Sequence, residues 1–277
     1  MLGSMVCKYS DFSLPWYRPQ ERSLMLRQIY SYHSAAQQDF VNRKFWEWCV
    51  IAQALEDRCK LKTGTRALGF AVGTEPLTAH FAGRGCTVLA TDLDVSMSDR
   101  GWVDTGQHAA SLDALYQPLL VNRELFNERV SFQPADMRTL EGLRGEFDFI
   151  WSSCALEHLG TLQAGIEFVV NSAKMLGPRG VAVHTTEFNV SSNDRTIEAG
   201  PNVVYRRQDI ATLAKVLKKN GFSLVEADFD CGEHRYDKEF DSPPYMTTER
   251  RHLKLLIGEY VSTSMLLVIE RAPSRWW

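Results

Sequence analysis

The stretch from Arg66 to Asp94, RALGFAVGTEPLTAHFAGRGCTVLATDLD, constrains the fold more than any other. Arg66 to Ala71 is a short apolar run, and Gly73-Thr74 breaks it. Glu75 to Ala82 has helical spacing through Leu77 and Phe81. Its Pro76 falls in the first turn, where a missing N–H costs little. Gly83 and Gly85 close the helix, Thr87 to Thr91 reads as a second buried strand, and Asp92 sits just past it. Strand, turn, helix, strand and acid together are half of a doubly wound α/β sheet. Ligands of such sheets bind outside the carboxyl ends of the strands. The bare turn admits a ligand to the backbone, and the acid is placed to accept from two ribose hydroxyls. A nucleoside-containing ligand is therefore expected.

The spacing of Gly69 and Gly73 does not match G-x-G-x-x-G, and no G-x-x-x-x-G-K-[ST] is present. Dinucleotide and nucleoside-triphosphate loops are thereby disfavoured. Further elements follow in order. Val130 to Phe132 is a short strand leading to Pro134-Ala135-Asp136-Met137. Glu146 to Trp151 is another, ending in Ser152-Ser153-Cys154-Ala155-Leu156-Glu157-His158-Leu159. A helix is predicted over Gln163 to Leu176, then the turn Gly177-Pro178-Arg179-Gly180 and the strand Val181 to Thr186.

This series resembles the class I S-adenosylmethionine-dependent methyltransferases, and its Glu157-His158 segment resembles the ubiquinone-pathway-like O-methyltransferase group. The first motif of that family is acid-x-Gly-x-Gly-x-Gly. Here Gly69 stands at the acid and Ala71 at the first glycine, while Gly73 matches. The resemblance implies a Rossmann-like sheet of seven strands with the last antiparallel. It implies S-adenosyl-L-methionine as cofactor, with Asp92 and Leu93 at the ribose and Asp136 and Met137 at the adenine. Gly69, Ala71, Gly73 and Thr74 would line the turn that the cofactor approaches, and Ser153 and Cys154 would touch its methionine moiety. Some relatives hold Mg²⁺ or another divalent metal with Glu-x-x-Glu-His and a later His. Here Cys154 replaces the first Glu, so Glu157, His158, His184 and Glu187 are the candidate ligands.

Methyl transfer is an in-line displacement, so the protein mainly positions a nucleophile. A hydroxyl acceptor also needs a base. His158, His184 and Glu187 are the catalytic candidates, because they sit at strand ends and imidazole titrates near neutrality. Residues 1–63 read as an N-terminal helical lid, with helices over Glu21 to Tyr32 and Ala35 to Lys60 after an extended lead (Tyr9 to Arg18). Residues 64–190 read as the cofactor-binding core, with a helix over Ala109 to Leu120 and a surface position for His108. Residues 191–277 complete the sheet with a helix (Gln208 to Asn220) and strands Phe222 to Phe229 and Ser264 to Glu270. Between them, 230–261 reads as a substrate-recognition insert ending in a helix, Glu249 to Gly258. Asn189, His234 and Tyr245 are its candidate substrate contacts. Met1 to Met5 has the look of an expression leader.

Composition narrows the partners. The 277 residues are 44% hydrophobic, enough for one large domain with additions, and the formal charge is −3. No basic tract is present to attract a long nucleic acid, and no apolar run has the length of a membrane span. The six cysteines form no C-x-x-C pair, which fits reduced thiols in a cytoplasmic protein. A small-molecule or saccharide acceptor is expected, with O-methylation of a sugar or glycan hydroxyl as the first reading. The alternatives are N-methylation, phenol O-methylation of a natural-product metabolite, or a non-catalytic cofactor-binding regulatory subunit. A homodimer is compatible with the sequence.

Overall fold

The structure is a computed structural model that describes residues 1–30, 41–94, 108–245 and 250–272. Five parallel strands form its centre: β2 (Arg66–Gly69), β3 (Thr87–Asp92), β4 (Val130–Pro134), β5 (Phe147–Ser153) and β6 (Leu176–Asn189). Their order is β4-β3-β2-β5-β6, and β10 (Tyr260–Arg271) continues the sheet antiparallel to β6. The expected doubly wound frame is therefore present. Seven strands, counting β7 (Phe222–Leu224), make that frame. Three short additions bring the sheet to ten: β1 (Ser4–Val6), β8 (Ala227–Asp228) and β9 (Leu255–Ile257).

Helices cover both faces. α1 (Tyr17–Ser23), α3 (Arg43–Glu56), α4 (Leu77–Gly83) and α5 (Arg123–Arg129) pack on one; α6 (Leu162–Ala173) and α7 (Arg207–Lys219) pack on the other. Phe81 of α4 stands edge-on to Trp151 at 5.0 Å, and Phe70 edge-on to Phe168 of α6 at 5.0 Å. Such pairs add about 0.5–1.5 kcal/mol beyond the area they bury. Trp151 is core, as its apolar strand implies. No helix among the described residues is long and apolar enough to cross a membrane.

Several expected elements differ. The chain start is part of the sheet, because β1 pairs with β10 and with β8. That insertion splits the expected strand Phe222 to Phe229 into β7, on β10, and β8, on β1. The expected lead is a 3-10 turn (Tyr9–Ser13) followed directly by α1, and α2 (Leu26–Ile29) starts after a left-handed Met25. Residues 108–120 hold only a 3-10 turn, Leu112–Leu115. Ala109 is tied to Asp92 through its N–H, and Pro118 cannot donate within a helix. His108 is not a surface residue: its side chain is 7% exposed and its Nε2 lies 2.6 Å from the Leu93 carbonyl. The Gly177–Gly180 turn is a bulge inside β6. The expected helix Glu249 to Gly258 gives way to β9, which pairs with β10 through the two-residue loop Gly258-Glu259. Gly at the first loop position, with φ +58, suits such a hairpin. The expectations for residues 31–40, 95–107, 246–249 and 273–277 lie outside the described residues.

Candidate active site

Strand order reverses between β2 and β5, so the carboxyl ends of these strands open a crevice. The turn after β2 is fixed by its neighbours. The Phe70 N–H donates to the Trp151 carbonyl and the Val72 N–H to that of Thr91. A side chain at Gly69 would meet the Trp151 indole at 2.4 Å, which explains why no acid stands there. Ala71 and Gly73 both have left-handed backbones, φ +45 and +51. For Ala71 that conformation costs roughly 1–2 kcal/mol, where the family glycine would cost little.

Asp92 ties this turn to the second strand. Its Oδ2 accepts from the N–H of Gly73 at 3.0 Å and of Ala109 at 3.2 Å, and its Oδ1 from that of Leu93 at 2.8 Å. Burial pushes its pKa up, and the three N–H donors oppose that shift. Asp136 lies past β4, where the Arg138 guanidinium grips both its oxygens and holds its carboxyl below the usual range. Met137 is buried beside it in the core. A cleft of about 370 Å³ opens on Thr74 between Tyr30 and Gln117 to Leu119.

Three charged side chains of α3 reach the ends of β5, β6 and β10. The carboxylate of Glu47, fully buried, accepts from Ser153 Oγ at 3.1 Å, from Cys154 Sγ at 3.2 Å and from Ser264 Oγ. Lys44 Nζ stands 3.0 Å from it and Arg43 Nη1 3.6 Å. Burial alone would raise the Glu47 pKa, but these two cations overrule it and bring the group down to about 2. Arg43 also pairs through Nη2 with Glu187, and Ser262 donates to the same carboxylate. Glu75 lies 3.8 Å from Lys44, and its burial lifts it to about 7. Glu157 is buried beside the Glu187 charge and is lifted to about 8; it accepts from Thr186 Oγ1 at 3.2 Å.

Glu157, Glu187 and Cys154 bring ligand atoms within 4.8 Å of one another. Neither of the two histidines expected with them joins that cluster. His184 and Glu187 stand on opposite faces of β6, since strand side chains alternate. His184 packs edge-on to Phe168 and shares a hydrogen bond with Ser152 Oγ at 2.8 Å; burial lowers it to about 3. His158 Nδ1 is 2.9 Å from the Pro201 carbonyl, and burial lowers its pKa. The expected four-residue set does not assemble. What remains does not fit a divalent ion: Arg43 already supplies the cation at Glu187, and burial holds the Cys154 thiol protonated.

The expected substrate residues also separate. Asn189 is engaged in its own loop, donating to Arg195 and Thr196 and accepting from Ser191 and Ser192. His234 stacks on Tyr9, with ring centroids 4.1 Å apart, beside β1. Tyr245 lies within electrostatic reach of Glu187 and Arg43, with its hydroxyl on the Leu256 carbonyl.

Sequence reasoning did not find Arg43, Lys44, Glu47 or Glu75. A signal existed: Arg43 and Glu47 share one helical stripe with buried Val50 and Ala54, and charges in an apolar stripe call for partners.

The methyltransferase domain family matches residues 68–184, from β2 to the middle of β6. Over those residues the chain matches a methyltransferase domain. The chain shares its fold with a magnesium protoporphyrin IX methyltransferase from Synechocystis PCC 6803 bound to S-adenosylhomocysteine. The two are 14% identical with a TM-score of 0.52, over 95% of this chain and 97% of that one. The same enzyme bound to S-adenosylmethionine gives 16% and 0.51, over 95% and 94%. A putative sarcosine dimethylglycine methyltransferase from Galdieria sulphuraria gives 12% and 0.51, over 92% and 98%. No curated protein matches the sequence significantly. The donor set fits the cofactor. The chain has an acid at the end of β3, a left-handed turn at the reversal point, and an acid after β4.

Proposed function

We propose that this methyltransferase methylates a hydroxyl oxygen of a neutral, polar small molecule of the sugar or glycan type. The observation that carries the reading is the buried ion network at the ends of β5 and β6. Two cations, Arg43 and Lys44, face four carboxylates, Glu47, Glu75, Glu157 and Glu187. Burial raises the pKa of Glu75 and of Glu157, which moves this network of excess carboxylates towards neutrality. A neutral acceptor rich in donors and acceptors suits such a lining. A catechol would favour an apolar slot. An ammonium would find Glu47 and Glu187 already paired with Lys44 and Arg43.

Bound S-adenosylmethionine supplies an electrophilic methyl group. The chain holds that cofactor by the turn Gly69 to Thr74 and by Asp92 and Leu93 at the ribose. Asp136 and Met137 flank the adenine, and Ser153 and Cys154 the methionine end. Tyr245 faces the acceptor. The test is incubation with methyl-labelled S-adenosylmethionine and separate panels of neutral saccharides, catechols and primary amines. Label should enter the saccharides as an alkali-stable ether. Transfer only to amines or catechols would overturn the hydroxyl-of-sugar reading.

A further inference from the structure

The insert carries a histidine–carboxylate pair that the sequence reading did not single out. His252 Nδ1 lies 3.1 Å from Asp241 Oδ2. Asp241 is fully buried and held in place. Its N–H donates to the Lys254 carbonyl, the Leu256 N–H donates to its own carbonyl, and its Oδ1 accepts from the Ser242 N–H. The imidazole is therefore oriented by a rigid neighbour. His252 is 8% exposed, and among the described residues no hydrogen bond reaches its Nε2.

The pair stands at the ion network. The N–H of Arg43 donates to the His252 carbonyl at 2.9 Å, which fixes the insert on the first turn of α3. The charged groups that face the ring are Arg43 from α3, Glu187 from β6 and Asp241 from its own segment. Tyr245 meets it edge-on, with centroids 5.7 Å apart. His158 Nδ1 meets the Pro201 carbonyl, and His184 is buried against α6.

We propose that His252 is the general base of the methyl transfer and that Asp241 is its positioning residue. The inference rests on the hydroxyl-acceptor reading. The acceptor oxygen bonds to the methyl carbon while the carbon–sulfur bond breaks, its electron pair passing to sulfur. The hydroxyl proton moves to His252 Nε2, and Asp241 stabilises the imidazolium that results. Burial and the Arg43 charge lower the His252 pKa against the pull of Asp241, so the ring is neutral and able to accept at pH 7.

The test uses the full chain with ¹⁵N-labelled histidine, saturated first with S-adenosylhomocysteine and then with S-adenosylmethionine. At pH 7 His252 should be neutral with its proton on Nδ1. Its titration midpoint should be about half a unit lower with the sulfonium compound, whose charge stands near the ring. A proton on Nε2, or the same midpoint with both ligands, overturns the proposal. His252→Gln should bind S-adenosylhomocysteine within twofold of wild type, while label transfer to the saccharide panel falls at least about 100-fold. Transfer within threefold of wild type also overturns it. The acceptor panel on wild type keeps the two readings apart. Transfer only to amines or catechols contradicts the hydroxyl-acceptor reading itself, whereas transfer to saccharides with an unresponsive His252 contradicts only the base assignment.

Discussion

Replacing Glu47 with glutamine is expected to lower the unfolding free energy by about 3–5 kcal/mol, the usual cost of removing one partner from a buried ion pair. Glu47 has no exposed surface, and it joins α3 to β5 and β10 through Ser153, Cys154 and Ser264. The substitution leaves Arg43 buried with Glu187 alone and Lys44 beside Glu75. Urea unfolding at pH 7 measures the loss. A change below about 1 kcal/mol would mean that Lys44 turns to solvent and Arg43 is satisfied by Glu187, and the network would not be the clamp described here. The pH dependence has a definite sign. The Glu47 pKa falls from 4.5 to about 2 on folding. Its stabilisation is thus fully present above pH 4.5 and is lost as pH drops towards 2. Acid unfolding of the Glu47→Gln protein should lack that component.

Asp92→Ala is expected to weaken S-adenosylhomocysteine binding about 10- to 150-fold, or about 1.5–3 kcal/mol, the value of hydrogen bonds to a charged group. Two effects combine. The carboxylate proposed for the ribose is gone, and the N–H groups of Gly73, Leu93 and Ala109 lose their common acceptor. The turn after β2 is then no longer fixed to the end of β3. Asp92→Asn keeps an oxygen that can accept and should lose less. Calorimetric titration checks both. Unchanged affinity in Asp92→Ala would assign the residue to the turn alone.

The β2–α4–β3 unit was legible because each element is a contiguous apolar run with its own punctuation. Strand ends after β4, β5 and β6 were legible for the same reason, and so the candidate residues near them were found. Elements decided at a distance were not. The helix expected over 109–120 is pre-empted by Asp92, 17 positions upstream of its first residue. β1 is three residues long, and only its partners β10 and β8 define it. The hairpin of β9 was marked by Gly258-Glu259, but Leu255 to Ile257 reads equally well as the end of a helix. At the site, Glu47 meets Ser153 across 106 positions and Arg43 meets Ser264 across 221. No local pattern encodes such pairs. The separation of His184 from Glu187 was readable in principle, since three positions along a strand put side chains on opposite faces.

The measurement that tests the account most directly is calorimetric titration of the full chain with S-adenosylmethionine and S-adenosylhomocysteine. One site per chain and micromolar affinity for both are predicted, with Mg²⁺ making no difference. No heat of binding with either compound, in protein shown to be folded, would contradict it.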